Sequence, residues 1–355
     1  MARQPAHAAL PRSLLAAALF CLAAAAQAAG PTTQFLLDGQ VAHGGSYDLA
    51  ALQALPAVSQ TVTFQSGKGS QTHAFIGTSL WGVLDAAGIQ TSPSVKNDVL
   101  NKYVLATGSD GYKTVFSLGE LNPGFGHEQS LLAYAEVVGG STVSLGADGF
   151  ARTTAPLDVK GGRYVSNLSR LTVQASASTA QGLGGGLSTS FSVSGDVLHG
   201  ASFDLAALQA LPQSTLTVGA DSYTGVSLWS LLNAGSVGLA TSAAVKNDVL
   251  DMMVVATGSD GYKALFSMGE LSPDFGGQPD LIAFDRNGGG LGSTGFARLV
   301  VPGDTKAGRW VSNLVSLEVF HATAAPVPEP ASWGLMAVGL VLLAARRASR
   351  GAGRT

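Results

Sequence analysis

The sequence predicts an α+β protein, rich in strands, in which one domain is written twice. Three observations predict this. Val95–Leu121 reads VKNDVLNKYVLATGSDGYKTVFSLGEL, and 150 positions later Val245–Leu271 reads VKNDVLDMMVVATGSDGYKALFSMGEL. Within each repeat, two apolar runs flank Ser-Asp-Gly, and Asp-Gly between such runs is the strongest short-range hairpin signal. The helical patterns are short, and each carries its own start and stop.

The elements follow in order. Asp48 can cap a short helix over Leu49–Leu55, which Pro56 ends. Ser79–Ala87 places apolar residues at helical spacing, with Gly88 as a C-terminal stop. Tyr103–Thr107 and Tyr112–Ser117 are expected as the paired strands around Ser109-Asp110-Gly111. The same order recurs: Tyr47–Pro56 returns as Phe203–Pro212, Gly149–Arg152 as Gly295–Arg298, and Arg163–Leu168 as Arg309–Leu314. The offset drifts from 156 to 146, as small loop deletions would produce. A solenoid unit spans about 20–50 residues, so a period this long means duplicated domains, each expected to have its own core. The boundaries are residues 29–174 for copy one and 191–322 for copy two. Residues 175–190 lie between them, a run of Ala, Ser, Thr and Gly with the composition of a flexible linker.

The two ends carry addresses. Residues 1–28 are a signal peptide: Arg3 and Arg12 precede the apolar run Ser13–Ala26, and Ala26 and Ala28 supply the small residues at a cleavage site. Cys21, the single cysteine, falls inside this segment, so the mature chain is expected to lack thiol ligands, disulfides and thiol nucleophiles. At the other end Pro328-Glu329-Pro330 precedes the short apolar run Ala331–Ala345 and then Arg346, Arg347 and Arg350. Residues 326–350 thereby resemble the PEP-CTERM sorting signal of Gram-negative bacteria. That resemblance implies recognition by an exosortase after signal-peptidase cleavage, a transient inner-membrane precursor, and delivery to the cell surface or extracellular matrix.

The ordered pieces of each copy resemble the molybdopterin-binding domain of the sulfite oxidase family. They are the Leu-rich helix, the strand before Gly225-Val226-Ser227-Leu228-Trp229-Ser230-Leu231-Leu232, the Ser-Asp-Gly-Tyr hairpin, then Arg298-Leu299-Val300-Val301-Pro302 and Arg309-Trp310-Val311. The fold class implied is α+β, two tandem copies of a β-rich domain of that type, between a signal peptide and a membrane-spanning sorting tail. In that family the two arginine stretches lie near the pterin pocket, so Arg298, Arg309, Arg152 and Arg163 become candidate anion contacts, a role that arginine's planar fork suits. The chain departs from the family where its molybdenum-ligating cysteine belongs. Thr61–Ser66 and Leu216–Ala220 contain none, and an oxygen ligand cannot replace a soft thiolate.

Other residues offer less. Asp110 and Asp260 fit backbone-satisfying turn positions. Tyr112, Tyr262, Lys113 and Lys263 fit strand positions. His43 and His199 match between copies but have no second ligand at metal spacing. Gly288-Gly289-Gly290 lacks the Lys-Ser/Thr of a phosphate loop. No catalytic residue and no metal ligand set stands out. Charged residues make up 12% of the chain and net charge is −3, which leaves no basic patch for nucleic acid. The expected function is an exported binding or structural module without metal catalysis, whose ligand is an extracellular polysaccharide or a small anion. The alternative is an oxidoreductase that holds molybdopterin without cysteine.

Overall fold

The computed structural model describes residues 30–322. The segment expected as a signal peptide, with Ala26 and Ala28, and the expected sorting tail, with Pro328, Glu329 and Pro330, lie outside the described residues. What is described is α+β, dominated by strands. Among these residues no helix is long and apolar enough to cross a membrane.

In the first half the strands are β1 (Gln34–Gly39), β2 (Gly45–Asp48), β3 (Val58–Ser66), β4 (Gly69–Ser79), β5 (Lys102–Gly108), β6 (Lys113–Ser117), β7 (Leu131–Val138), β8 (Ser141–Ser144), β9 (Arg152–Thr153) and β10 (Leu168–Ala175). One sheet runs β2-β1-β10-β5-β6; the other runs β3-β4-β7-β8, with β9 also on β7. The second half has β11 (Ser190–Gly195), β12 (Ala201–Asp204), β13 (Ser214–Val218), β14 (Asp221–Ser227), β15 (Met252–Gly258), β16 (Lys263–Ser267), β17 (Leu281–Arg286), β18 (Arg298–Val300) and β19 (Leu314–His321). Its sheets run β12-β11-β19-β15-β16 and β13-β14-β17-β18, the same order of equivalent strands.

Local chemistry sets the short elements. Helix α1 (Leu49–Gln53) starts where the Asp48 carboxylate accepts from the Ala51 N–H at 2.8 Å. Helix α2 (Leu80–Ala86) is capped by Ser79, and Gly88 follows it at φ +73°, a left-handed conformation glycine adopts without strain. The β5–β6 hairpin pairs antiparallel as expected, and Asp110 accepts from the Tyr112 N–H within the turn. A helix beyond those expected from the sequence, α3 (Leu118–Leu121), begins with a capping box between Ser117 and Glu120. Helices α4 (Leu205–Gln209), α5 (Leu228–Leu232) and α6 (Met268–Leu271) repeat this set, the last with the box Ser267–Glu270. Ser-x-x-Glu was legible in both copies as a helix start.

Each half has its own apolar cluster, built around Leu37, Leu84 and Phe116 in the first and Phe191, Leu232 and Phe266 in the second. A third cluster belongs to both: Tyr103, Leu105 and Val115 pack with Met253, Val255, Leu265 and Ala322. The faces of β5–β6 and β15–β16 turned away from their own cores thus cover each other. The segment expected as a flexible linker is laced to the second half. Leu183 and Gly185 N–H groups donate to the Ser259 carbonyl, Lys263 donates to the Ser178 carbonyl, and Ala180 donates to Glu318.

Candidate functional site

The four candidate arginines fall into two environments. Arg163 ends a short 3-10 turn (Gly161–Arg163) and is fully buried. Its Nη1 donates to Glu120 at 2.6 Å, its Nη2 to Asp158 at 2.6 Å and to Glu128 at 3.3 Å, and its Nε to Asp158 at 2.9 Å. Arg309 repeats this with Glu270 at 2.6 Å and Asp304 at 2.5 Å, and Gln278 stands where the first half has Glu128. Both guanidinium groups lie 4.9 Å from a phenylalanine ring of their own half, Phe116 and Phe266. The expectation that they contact an outside anion is corrected by this geometry. Their forks are already bonded to buried carboxylates, which need a cation to remain charged away from water.

The two ion clusters sit back to back. Ser117 Oγ donates to Glu270 and Ser267 Oγ to Glu120, so the serine of each capping box also bonds the glutamate of the other half's box. Each arginine stem presses on the opposite helix: a Cβ at Gly119 would lie 2.6 Å from Arg309 Cδ, and one at Gly269 would lie 2.6 Å from Arg163 Cδ. Only glycine admits this approach. Glu120, Glu128 and Glu270 left no local pattern because they pair across 35–43 positions, whereas Asp158 and Asp304 stand five positions before their arginines, a spacing legible in both copies but not read as a pair. Asp280 is buried nearby with no partner on either carboxylate oxygen, and burial raises its pKa to about 7, Arg309 opposing this only in part.

Arg152 and Arg298 lie in the second sheet of each half. Arg152 pairs with Asp148 at 2.5 Å, donates to the Tyr164 carbonyl and lies over the Phe75 and Tyr164 rings. Arg298 lies 5.0 Å over the Trp310 ring. At the position of Asp148 the second half carries Thr294, and Arg298 has no ion-pair partner among the described residues. Burial lowers the pKa of both arginines. Of the four candidates, Arg298 alone keeps a guanidinium without a carboxylate.

A cleft lies elsewhere. It has a volume of about 570 Å³ and is lined by residues of both halves. Its lining includes the β3–β4 hairpin residues Phe64 to Gly67, then Tyr112, Gly162 and Tyr164, and Lys246, Asn247 and Phe275 of the second half. The tyrosine is fixed: its hydroxyl donates to the Gly162 carbonyl at 2.7 Å and accepts from Asn247 at 2.9 Å. Burial raises the Tyr112 pKa, so it stays a neutral donor. The Lys246 ammonium lies 5.7 Å over the Tyr112 ring, with no ion-pair partner among the described residues, whereas Lys160 at the rim pairs with Asp274 at 2.8 Å. The duplicated half does not rebuild this lining. Strands β3 and β4 run nine and eleven residues, but β13 and β14 run five and seven, so nothing equivalent to Phe64–Gly67 stands there.

His43 and His199 occupy matching turns, their N–H groups bonded to the Ala87 and Val237 carbonyls. Molybdopterin does not fit the residues present. The stretches that would supply its thiolate form strands β3 and β13 and the turn after β13, residues 29–355 contain no cysteine, and Arg163 and Arg309 are consumed by carboxylates.

Comparison with known proteins locates the address. The family model described as the PEP-CTERM protein-sorting motif matches residues 326–348. The chain carries a PEP-CTERM sorting motif. A chain with this motif is exported as a membrane-anchored precursor and processed by an exosortase. No curated protein matches the chain. Among solved structures, the sulfane dehydrogenase SoxCD from Paracoccus pantotrophus is similar over 82% of this PEP-CTERM chain and 78% of its own, with 13% identity and a TM-score of 0.33. A likeness of that size carries no argument about fold or activity.

Proposed function

We propose that the protein is an exported, surface-associated binding module without metal catalysis. Its two halves form one frame, and its ligand is an acidic carbohydrate unit held in the cleft between them. The carrying observation is the cleft itself. Its volume lies within the range of about 300–1,000 Å³ typical of small-ligand sites. Aromatic faces at Phe64, Tyr112 and Tyr164 suit the apolar face of a sugar ring, and Lys246 offers a cation with no carboxylate of its own. The tandem α+β domains supply rigidity, and the sorting motif supplies delivery. The sulfite-oxidase-type origin of each copy is part of this proposal and rests on the ordered motifs.

The test is calorimetric titration of the full chain with short oligomers of uronic acids and their neutral counterparts. Acidic oligomers should bind. Lys246→Ala should weaken them by about tenfold or more, the worth of a charge-assisted hydrogen bond of roughly 1.5–3 kcal/mol, and Phe64→Ala should weaken acidic and neutral sugars alike. Binding that neither substitution alters, or no binding across the series, would reject the cleft as the site.

A further inference from the structure

The duplication permits a comparison of equivalent positions, and one pair of positions differs in a chemically directed way. In the first half Lys102 sends its ammonium between Asp98 Oδ2 at 3.1 Å and Gln40 Oε1 at 2.8 Å. The equivalences with the second half are fixed by backbone bonds. Gln40 and Asp196 both donate N–H to the adjacent strand, at Val173 and Val319. Asp98 and Asp248 both accept from a serine N–H six residues earlier, Ser92 and Ser242. Asn101 and Asp251 both accept at their carbonyls, from the Ser176 and Ala322 N–H groups. Lys102 pairs in register with Ala175, and Met252 with His321.

The second half has therefore lost the lysine to Met252 and gained two carboxylates, at Asp196 and Asp251, and an imidazole, at His321. One carboxylate neutralised by one ammonium has become three carboxylates around a histidine. Lys113 of the first half also acts on Asp251 electrostatically, but it cannot balance three negative charges. Carboxylates gathered this closely and half removed from water repel one another unless a cation joins them. The donor atoms are placed for one. Ligand atoms of Asp248, Asp251 and His321 lie within 4.8 Å of one another, and His321 Nε2 is 3.3 Å from Asp248 Oδ2. Two ligands at about 2.0–2.1 Å from one ion stand about 3.0–3.4 Å apart. Asp251 Oδ1 is buried without a hydrogen-bond partner.

The fourth residue completes the pattern. Asp196 Oδ2 sits 2.7 Å from His321 Nδ1 and also accepts the His321 backbone N–H at 2.7 Å. A carboxylate on the far ring nitrogen fixes the tautomer that leaves Nε2 free to bind a metal.

We infer that the second half holds a divalent transition-metal ion, of the zinc or manganese class, through His321 Nε2 and the carboxylates of Asp248 and Asp251, with Asp196 orienting the imidazole. The ion stands where the first half has the Lys102 ammonium. An imidazole nitrogen with two carboxylates suits such an ion better than calcium or magnesium, which take oxygen ligands. The role is structural: the ligands join β19 to the 3-10 turn before β15, and four residues separate the end of β19 from the matched sorting motif. Ligation needs the imidazole neutral at Nε2.

The test is metal titration of chelator-treated full-length protein by calorimetry, with the unfolding temperature as a second readout. Zinc should bind with one-to-one stoichiometry and raise the unfolding temperature, and calcium should not compete. Three variants each install the residue that the first half carries: His321→Ala, Asp251→Asn and Asp196→Gln. The first two should abolish stoichiometric binding; the third should weaken it by about 10–100-fold, the usual cost of losing a ligand's orienting partner. Cooperative unfolding of each metal-free variant at its own temperature shows that it has folded. No zinc or manganese binding by the wild type, binding undiminished in His321→Ala, or calcium bound in preference to zinc would each overturn the assignment.

Discussion

Replacing Arg163 by alanine tests whether the buried arginines are structural. The side chain is fully buried, and its loss would leave Glu120, Glu128 and Asp158, each less than a tenth exposed, without their cation. Removing one partner of a buried ion pair costs about 3–5 kcal/mol, because the charge left behind is neither solvated nor paired. With three carboxylates stranded, Arg163→Ala should lie at the upper end, and Arg309→Ala, which strands Glu270 and Asp304, somewhat lower. A domain's total stability is only about 5–15 kcal/mol, so the loss is large enough to measure. Urea unfolding followed by tryptophan fluorescence at pH 7 gives the difference from the midpoint and slope. The sign of the pH dependence follows from the same geometry. Carboxyls without their arginine have folded-state pKa values above those of the unfolded chain, so they hold extra protons when folded. The variant's deficit should therefore shrink as pH falls from 7 toward 5. A loss below about 1 kcal/mol, or a deficit that does not respond to acid, would refute the reasoning.

Three further outcomes are expected. Asp280, with its pKa raised to about 7 in the folded protein, stays protonated there up to that pH while the unfolded chain ionises near about 4, so stability should fall as pH rises across this window; Asp280→Asn should flatten the slope and raise the urea midpoint at pH 8. The intact protein should unfold in one calorimetric transition with equal calorimetric and van't Hoff enthalpies, since Tyr103, Leu105 and Val115 share a cluster with Met253, Val255 and Leu265; separate fragments 29–174 and 191–322 should each melt lower or self-associate through that exposed face. Alanine at Pro328, Glu329 and Pro330 should leave full-length protein in the inner membrane of an exosortase-positive host, as cell fractionation would reveal.

What the sequence determined by itself is what short-range chemistry encodes. Asp48 and Ser79 mark helix starts because their side chains accept N–H groups three residues away. Asp110-Gly111 marks the hairpin because glycine takes the left-handed turn position, here φ +83°. The sorting motif is a linear word, readable without a fold. The repeated Ser-x-x-Glu was equally readable as a helix start, but its second use, bonding serine to the glutamate of the other half, was not. Tertiary structure decided the rest. Arg152, Arg163, Arg298 and Arg309 look alike in sequence, yet burial among carboxylates distant in the chain removes Arg163 and Arg309 from ligand duty, and Thr294 in place of Asp148 leaves Arg298 without its pair. Lys246 gains its place because a hairpin tip nearly 180 positions earlier lines the same cleft. Such sites arise from the packing of apolar faces, which fixes which distant residues meet while leaving no period or spacing in the chain that records the meeting.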